Sequence, residues 1–349
     1  FSLSLFGAFI VRSGIIDSVH SFANDPDRGL YLLGFIGLIV FTSVFLFVWR
    51  LSSIKSSSVI KKFSKQSFIS INNILFGTLI FSVMLGVTYP LIYEFLFDQK
   101  ISVGAPFYNA IFIPVVVLAS IFLFFSVDSK WSRSINFEFF TAPIFLSAAL
   151  SLALTFFVMQ FFNTQSISIL ASIFAGSLII FRYIYEIINF LFKKKYVNPF
   201  SVIAHMSLGL LLVSISFNSL LSTERALSID INSMEEYKDL KIFFEDIGVE
   251  NNSNYDSIQA SFLVEDQNGR AFNLKPEKRR YFTRGQITTE TAIHVTALRD
   301  IYITIGDQLD DGSWVVNVQI NYLIRWIWFS ALLMGFAGII LVFSKRAKA

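Results

Sequence analysis

The chain has 349 residues, of which 54% are hydrophobic and only 15% charged, and its mean hydropathy is +0.62. Soluble domains carry about 25% charged residues, so a water-soluble globule is excluded and an integral membrane protein is expected. The net charge of +3 is modest and indicates no nucleic-acid partner. The absence of cysteine excludes disulfides, zinc–thiolate centres and a thiol nucleophile.

Spans are runs of roughly 20 apolar residues, the length that crosses a hydrocarbon core of roughly 30 Å at 1.5 Å per residue. The first run, from Phe1 to Val11, stops at Arg12-Ser13-Gly14 and covers only about 17 Å. It is expected to be a truncated span, and the chain a C-terminal portion of a longer protein or one piece of a split one. A polar loop holding His20 follows, and Pro26 and Gly29 mark the turn into a second span at 30–49. Further spans are expected at 69–91 (reaching 97 at the longest), 107–127, 139–162, 168–192, 200–221 and 322–343.

Basic loops alternate with weakly charged ones. Arg50, Lys55, Lys61, Lys62 and Lys65 mark one side, as do Lys130 with Arg133, Lys193-Lys194-Lys195, and the terminal Lys345-Arg346-Ala347-Lys348. Lys/Arg bias sets membrane orientation. The basic side is therefore cytoplasmic (or the mitochondrial matrix), and the His20 loop faces outward.

Composition changes at Ser222. From there to Asn321 the chain is polar, with period-two stretches at 240–244, 257–264, 293–297, 301–305 and 314–320. Alternation with β-branched and aromatic residues reads as strands. Asn251-Asn252-Ser253-Asn254, Asp266-Gln267-Asn268-Gly269 and Asp310-Asp311-Gly312-Ser313 read as the turns between them. The expected fold class is an all-α polytopic membrane bundle of about eight spans, the first truncated, with an inserted extracytoplasmic β domain. Its divisions are 1–222 for the helical region, 223–321 for the β domain, and 322–349 for a last helix with a basic tail.

Three histidines carry the candidate chemistry. His20 lies beside a membrane surface, where a neutral imidazole can coordinate a metal or a haem iron, or simply sit at the interface without a ligand. His205 lies six residues into a span, and an ionisable group there marks either a functional site or an interhelical hydrogen bond. His294 lies on an expected strand and reads as an ordinary surface or edge histidine. Arg182 and Glu186, at i and i+4 of one span, read as a structural ion pair, with a quinone or proton site as the alternative. Arg12 and Arg28 flank His20, where lipid phosphates or haem propionates would suit their guanidinium groups. Trp326 and Trp328 belong to an interfacial aromatic belt.

The strings Val11-Arg12-Ser13-Gly14 and Ser18-Val19-His20-Ser21-Phe22-Ala23 resemble the signature of the CcmF/NrfE/CycK haem lyase family of system I cytochrome c maturation. Phe200-Ser201-Val202-Ile203-Ala204-His205 resembles that family's intramembrane haem helix, and the segments around His294, Trp314 and Ile324–Trp328 resemble it too. The resemblance implies that His20 is an axial ligand to haem held as substrate at the outer face. It implies that His205 is one of two axial ligands to an intramembrane haem b, with the partner ligands of both histidines preceding Phe1. Arg12 and Arg28 would then meet propionates. The family's tryptophan-rich outer segment has no counterpart here, so the chain is not expected to be active alone.

The implied reaction joins haem vinyl groups to the two thiols of a CxxCH segment in apocytochrome c. The implied partners are a CcmE-like haem chaperone, CcmH/CcmI-like subunits, apocytochrome c and membrane lipid. The implied location is a bacterial inner membrane, with the mitochondrial inner membrane as the alternative. Other readings are the paralogous haem lyase for nitrite reductase, a transporter, and an assembly scaffold that binds no haem.

Overall fold

In a computed structural model of the chain, the described residues are 1–13, 26–53, 60–131, 142–193, 198–282 and 287–343. They fall into two compact units, 1–137 and 138–349.

The first unit is helical, with α1 (Ser2–Arg12), α2 (Pro26–Arg50), α3 (Lys65–Phe97) and α4 (Ala105–Ser126). α1 packs on α2 and α3 on α4. α3 begins where the Ser64 hydroxyl accepts from the backbone N–H of Ser67 at 3.2 Å, supplying one of the bonds that a helix start lacks. It ends at Asp98, whose left-handed backbone (φ 53°) stops the helix.

The second unit combines α5 (Ala142–Phe161), α6 (Ile167–Lys193), α7 (Pro199–Leu221) and α8 (Ile324–Phe343) with ten strands between α7 and α8. Among the described residues seven helices are long and apolar enough to cross a membrane, and α1 is a shorter apolar helix. The expected spans therefore stand, with small shifts at their ends. The last one starts at Ile324 rather than 322, because Tyr322 still belongs to a strand and Leu323 (φ 59°) breaks the backbone direction. Lys65, expected in a loop, opens α3.

Within this unit α6 packs against both α5 and α7, and it is the most enclosed span. Two glycines set its distance from α7. A Cβ on Gly176 would stand 2.8 Å from the carbonyl oxygen of Gly209, and one on Gly209 would stand 2.7 Å from the carbonyl oxygen of Gly176. Only hydrogen fits at either position, so the two backbones meet as closely as small residues permit between membrane helices. Several serines buried in the spans bond within their own helix. Ser151 Oγ donates to Ser147 O at 2.7 Å, Ser207 Oγ to Ile203 O at 2.7 Å and Ser216 Oγ to Leu212 O at 2.8 Å. A hydroxyl in hydrocarbon must find an internal acceptor, and the carbonyl one turn back supplies it.

The strands form two antiparallel sheets. One has the order β1-β10-β9-β8, from Thr223–Ile229, Trp314–Tyr322, Arg299–Gln308 and Ala292–Val295. The other has the order β2-β3-β4-β6-β7, from Met234–Tyr237, Leu240–Asn251, Tyr255–Asp266, Glu277–Tyr281 and Ile287–Glu290, with β5 (Ala271–Leu274) also on β4. Alternate residues of β3, β4, β9 and β10 point into a shared core. Ile242, Phe244, Phe262, Val264, Ile303, Ile305, Val316 and Val318 are all fully buried there. Phe244 and Phe262 stack with centroids 4.5 Å apart; burying each ring contributes about 1.5–3 kcal/mol.

All five expected strand stretches lie largely or wholly in strands (β3, β4, β8, β9 and β10), and the expected turns separate β3 from β4, β4 from β5 and β9 from β10. Five further strands were not anticipated. The clearest is β6, Glu277-Lys278-Arg279-Arg280-Tyr281, whose charges look like a loop. It is held in the sheet by pairing with β4 and by local neutralisation. Arg279 Nε donates to Glu277 Oε2 at 2.9 Å, Gln259 Nε2 donates to Glu277 Oε1 at 2.9 Å, and the Arg279 guanidinium lies 4.7 Å from the Tyr255 ring.

The sandwich is fastened to the helices where the chain enters and leaves it. Asn218 Nδ2, near the end of α7, donates to the Tyr322 carbonyl at 2.7 Å and to Ser222 Oγ at 2.9 Å. Ser222 Oγ also accepts from Tyr322 N at 3.1 Å, and Trp326 Nε1 of α8 donates to Ala297 O at 2.9 Å.

Two expectations follow. Gly176→Ala should lower thermal stability in detergent by about 1–3 kcal/mol through overpacking, whereas Gly335→Ala, with nothing within 4 Å of its added Cβ, should be neutral or stabilising. The Glu277 carboxyl is held below its ordinary 4.5, first by the Arg279 hydrogen bond and then by Gln259, against the cost of burial. A carboxylate whose folded pKa is depressed contributes stability above its unfolded pKa and loses it as pH falls through the folded value. Near-ultraviolet circular dichroism should therefore report loosening of the β domain as pH drops below about 4.5, and Glu277→Gln should flatten that part of the profile.

A candidate intramembrane histidine site

His205 is the sequence-predicted ligand that the structure places in full. It projects from α7 one turn before Gly209, toward α6, where Tyr183 lies two turns beyond Gly176. The helices run in opposite directions, so these offsets bring the two side chains together. Tyr183 Oη stands 2.5 Å from His205 Nδ1, and Ser201 Oγ, four residues before the histidine on the same helix face, stands 3.1 Å from the same nitrogen. Tyr183 and Ser201 are themselves 3.4 Å apart through their oxygens. The phenol is 4% exposed and its ring tilts against the imidazole at a centroid distance of 5.3 Å.

This geometry fixes which end of the imidazole can do what. Nδ1 is engaged by two hydroxyl oxygens, so a metal or haem iron at this histidine would be met by Nε2. When Nε2 binds a metal, Nδ1 carries the proton and donates it, which is the usual outer contact of a metal-bound histidine. The surroundings thus fit an axial haem ligand. Among the described residues no group of three His, Cys, Asp or Glu is arranged to hold a free metal ion.

Next to Tyr183 on α6 lies the pair expected from its spacing. Arg182 Nη1 donates to Glu186 Oε1 at 2.7 Å, with the side chains 1% and 9% exposed. A charge buried in a span is costly unless paired, and this pair cancels within one helical turn. Asn189, also buried, continues the same polar stripe.

His20 lies outside the described residues. Arg12 and Arg28 are both exposed, and they stand at the ends of α1 and α2 that border the 14–25 segment. Those ends meet closely, since a Cβ on Gly29 would stand 3.0 Å from Ser13 Cα. Both cations thus stand at one end of the α1/α2 pair. His294, on β8, stacks face to face on Phe272 with centroids 3.6 Å apart, which is a packing role. A cavity of about 450 Å³ in the sandwich is bordered by Trp314, Ser257, Lys278 and Arg280; its cations pair locally, Lys278 with Asp307 and Arg280 with Asp256.

Sequence reasoning missed Tyr183 and Ser201. Ser201 could have been found, because i−4 from His205 is the same helix face. Tyr183 could not, because its partner is 22 residues away on another helix.

Comparison with known proteins places these features. Residues 220–321 match the family model described as the CcmF C-terminal beta-sandwich. The whole chain is 29% identical to the cytochrome c-type biogenesis protein CcmF of Pseudomonas aeruginosa, covering 54% of that protein, and 28% identical to CcmF of Haemophilus influenzae, covering 55%. It is also 26% identical over its whole length to the H. influenzae cytochrome c-type biogenesis protein NrfE, again covering 55%. A solved structure of the cytochrome c haem lyase CcmF superposes on 99% of this chain and 53% of its own, with a TM-score of 0.73 at 14% identity, which speaks for the fold. The chain spans about half the length of the curated relatives it matches. With its membrane-length helices and C-terminal sandwich, the chain is similar over its whole length to the C-terminal portion of CcmF cytochrome c-type biogenesis proteins, and its residues 220–321 match that family's β-sandwich domain.

Proposed function

We propose that this chain is the C-terminal part of a cytochrome c haem lyase, in which His205 is an axial ligand to an intramembrane haem b through Nε2. The observation that carries the reading is the imidazole inside a span with Nδ1 held by Tyr183 and Ser201, which orients Nε2 as a ligand nitrogen. Haem bound there would supply one-electron redox chemistry. The chain's own contribution is orientation: the α6/α7 glycine contact fixes the imidazole's position, and the two hydroxyls fix its rotation and proton. A second axial ligand would come from elsewhere in the protein.

At the other candidate position, His20 would hold the haem that serves as substrate, with Arg12 and Arg28 meeting its propionates. The reaction adds each of two cysteine thiols of a CxxCH segment across a haem vinyl group, forming thioethers. The nucleophiles belong to apocytochrome c, so the lyase works by positioning. A CcmE-like chaperone would deliver the haem, and CcmH/CcmI-like subunits would present the apocytochrome. The β sandwich and the His20 segment would face the periplasm of a bacterial inner membrane, consistent with the basic loops on the opposite side. Similarity to NrfE is a few per cent lower than to CcmF, which favours the general lyase over the nitrite-reductase paralogue.

The test is the dithionite-reduced absorption spectrum of the native protein complex purified in detergent. His205→Ala should abolish the reduced b-type signal, and His20→Ala should lower captured substrate haem while leaving that signal in place. An unchanged spectrum in both variants would sink both ligand assignments.

A further inference from the structure

We infer that Tyr183 is a positioning residue for the His205 ligand, acting as the main acceptor for its Nδ1 proton, with Ser201 as the weaker second acceptor. The inference rests on the haem b reading and extends it to a residue outside the family resemblance described above. The phenol oxygen is closer to Nδ1 than the serine oxygen is, 2.5 against 3.1 Å, and it approaches from a different helix. Ser201 shares the histidine's helix and moves with it, so it cannot fix the ring against the rest of the bundle. Tyr183 can, because α6 is the most enclosed span and the glycine contact locks α6 to α7.

The chemistry sets the direction of the effect. With Nε2 on iron, the Nδ1–H donates to the phenol oxygen. A strong acceptor there makes the imidazole a more basic ligand. A more basic ligand favours the ferric state, so Tyr183 would hold the potential of the site down. It would also reduce haem loss by removing ring rotation.

The experiment is a redox titration followed by visible absorption, with haem retention measured by transfer to apomyoglobin. The native protein, Tyr183→Phe, Ser201→Ala, the double variant and His205→Ala would be compared in detergent. Tyr183→Phe keeps the ring's volume and should still hold b-type haem. Its retention should weaken about 10- to 100-fold, as for the loss of an outer ligand contact, and its midpoint potential should rise. Ser201→Ala should do much less, and the double variant should exceed Tyr183→Phe. If the native protein binds haem, His205→Ala loses it, and Tyr183→Phe matches the native protein in both retention and potential, the role of Tyr183 is overturned while the ligand assignment stands. If the native signal survives His205→Ala, the haem b reading itself fails, and the inference with it.

Discussion

The contact on which the second unit depends is the one between Gly176 and Gly209. A single added methyl on either residue would reach within 2.8 Å of a backbone oxygen on the other helix. Lipid offers no hydrophobic reward for bringing two helices together, so close packing and polar contacts must hold them. The glycines allow the closest approach, and everything one or two turns away inherits that spacing. Tyr183 and His205 lie at such offsets on opposed helices, and their hydrogen bond depends on the distance the glycines set.

The same physics disposes of the other polar groups in the spans. Serines return their hydroxyls to carbonyls of their own helix, and Arg182 cancels Glu186 one turn away. Each of these contacts lies within a single helix. The Tyr183–His205 contact, by contrast, joins two helices, and so it is suited to hold a side chain in register between them.

Outside the spans the constraints change from packing to attachment. The sandwich has a core of its own, yet α7 leads directly into β1 and β10 directly into α8. Asn218, Ser222 and Tyr322 form a bonded knot at that double crossing, and Trp326 adds a fourth tie from α8. Leu323 turns the chain from strand to helix within one residue through its left-handed backbone. A domain tethered by two adjacent chains with side-chain bonds across them follows the orientation of its helices.

The sequence by itself determined the membrane class, the spans and the existence of a β domain, because those follow from run length and from period-two alternation, which are local. It also singled out His205, since an ionisable residue in a span is conspicuous, and it paired Arg182 with Glu186, since i and i+4 share a helix face. It did not reveal β6, whose charges are met partly within the strand and partly by residues on neighbouring strands, nor the role of His294, which depends on the Phe272 ring beneath it. Only the tertiary structure decided that Tyr183 meets His205. The reason is physical: that contact is fixed by how closely two helices approach and by their antiparallel register, quantities that no single stretch of sequence contains.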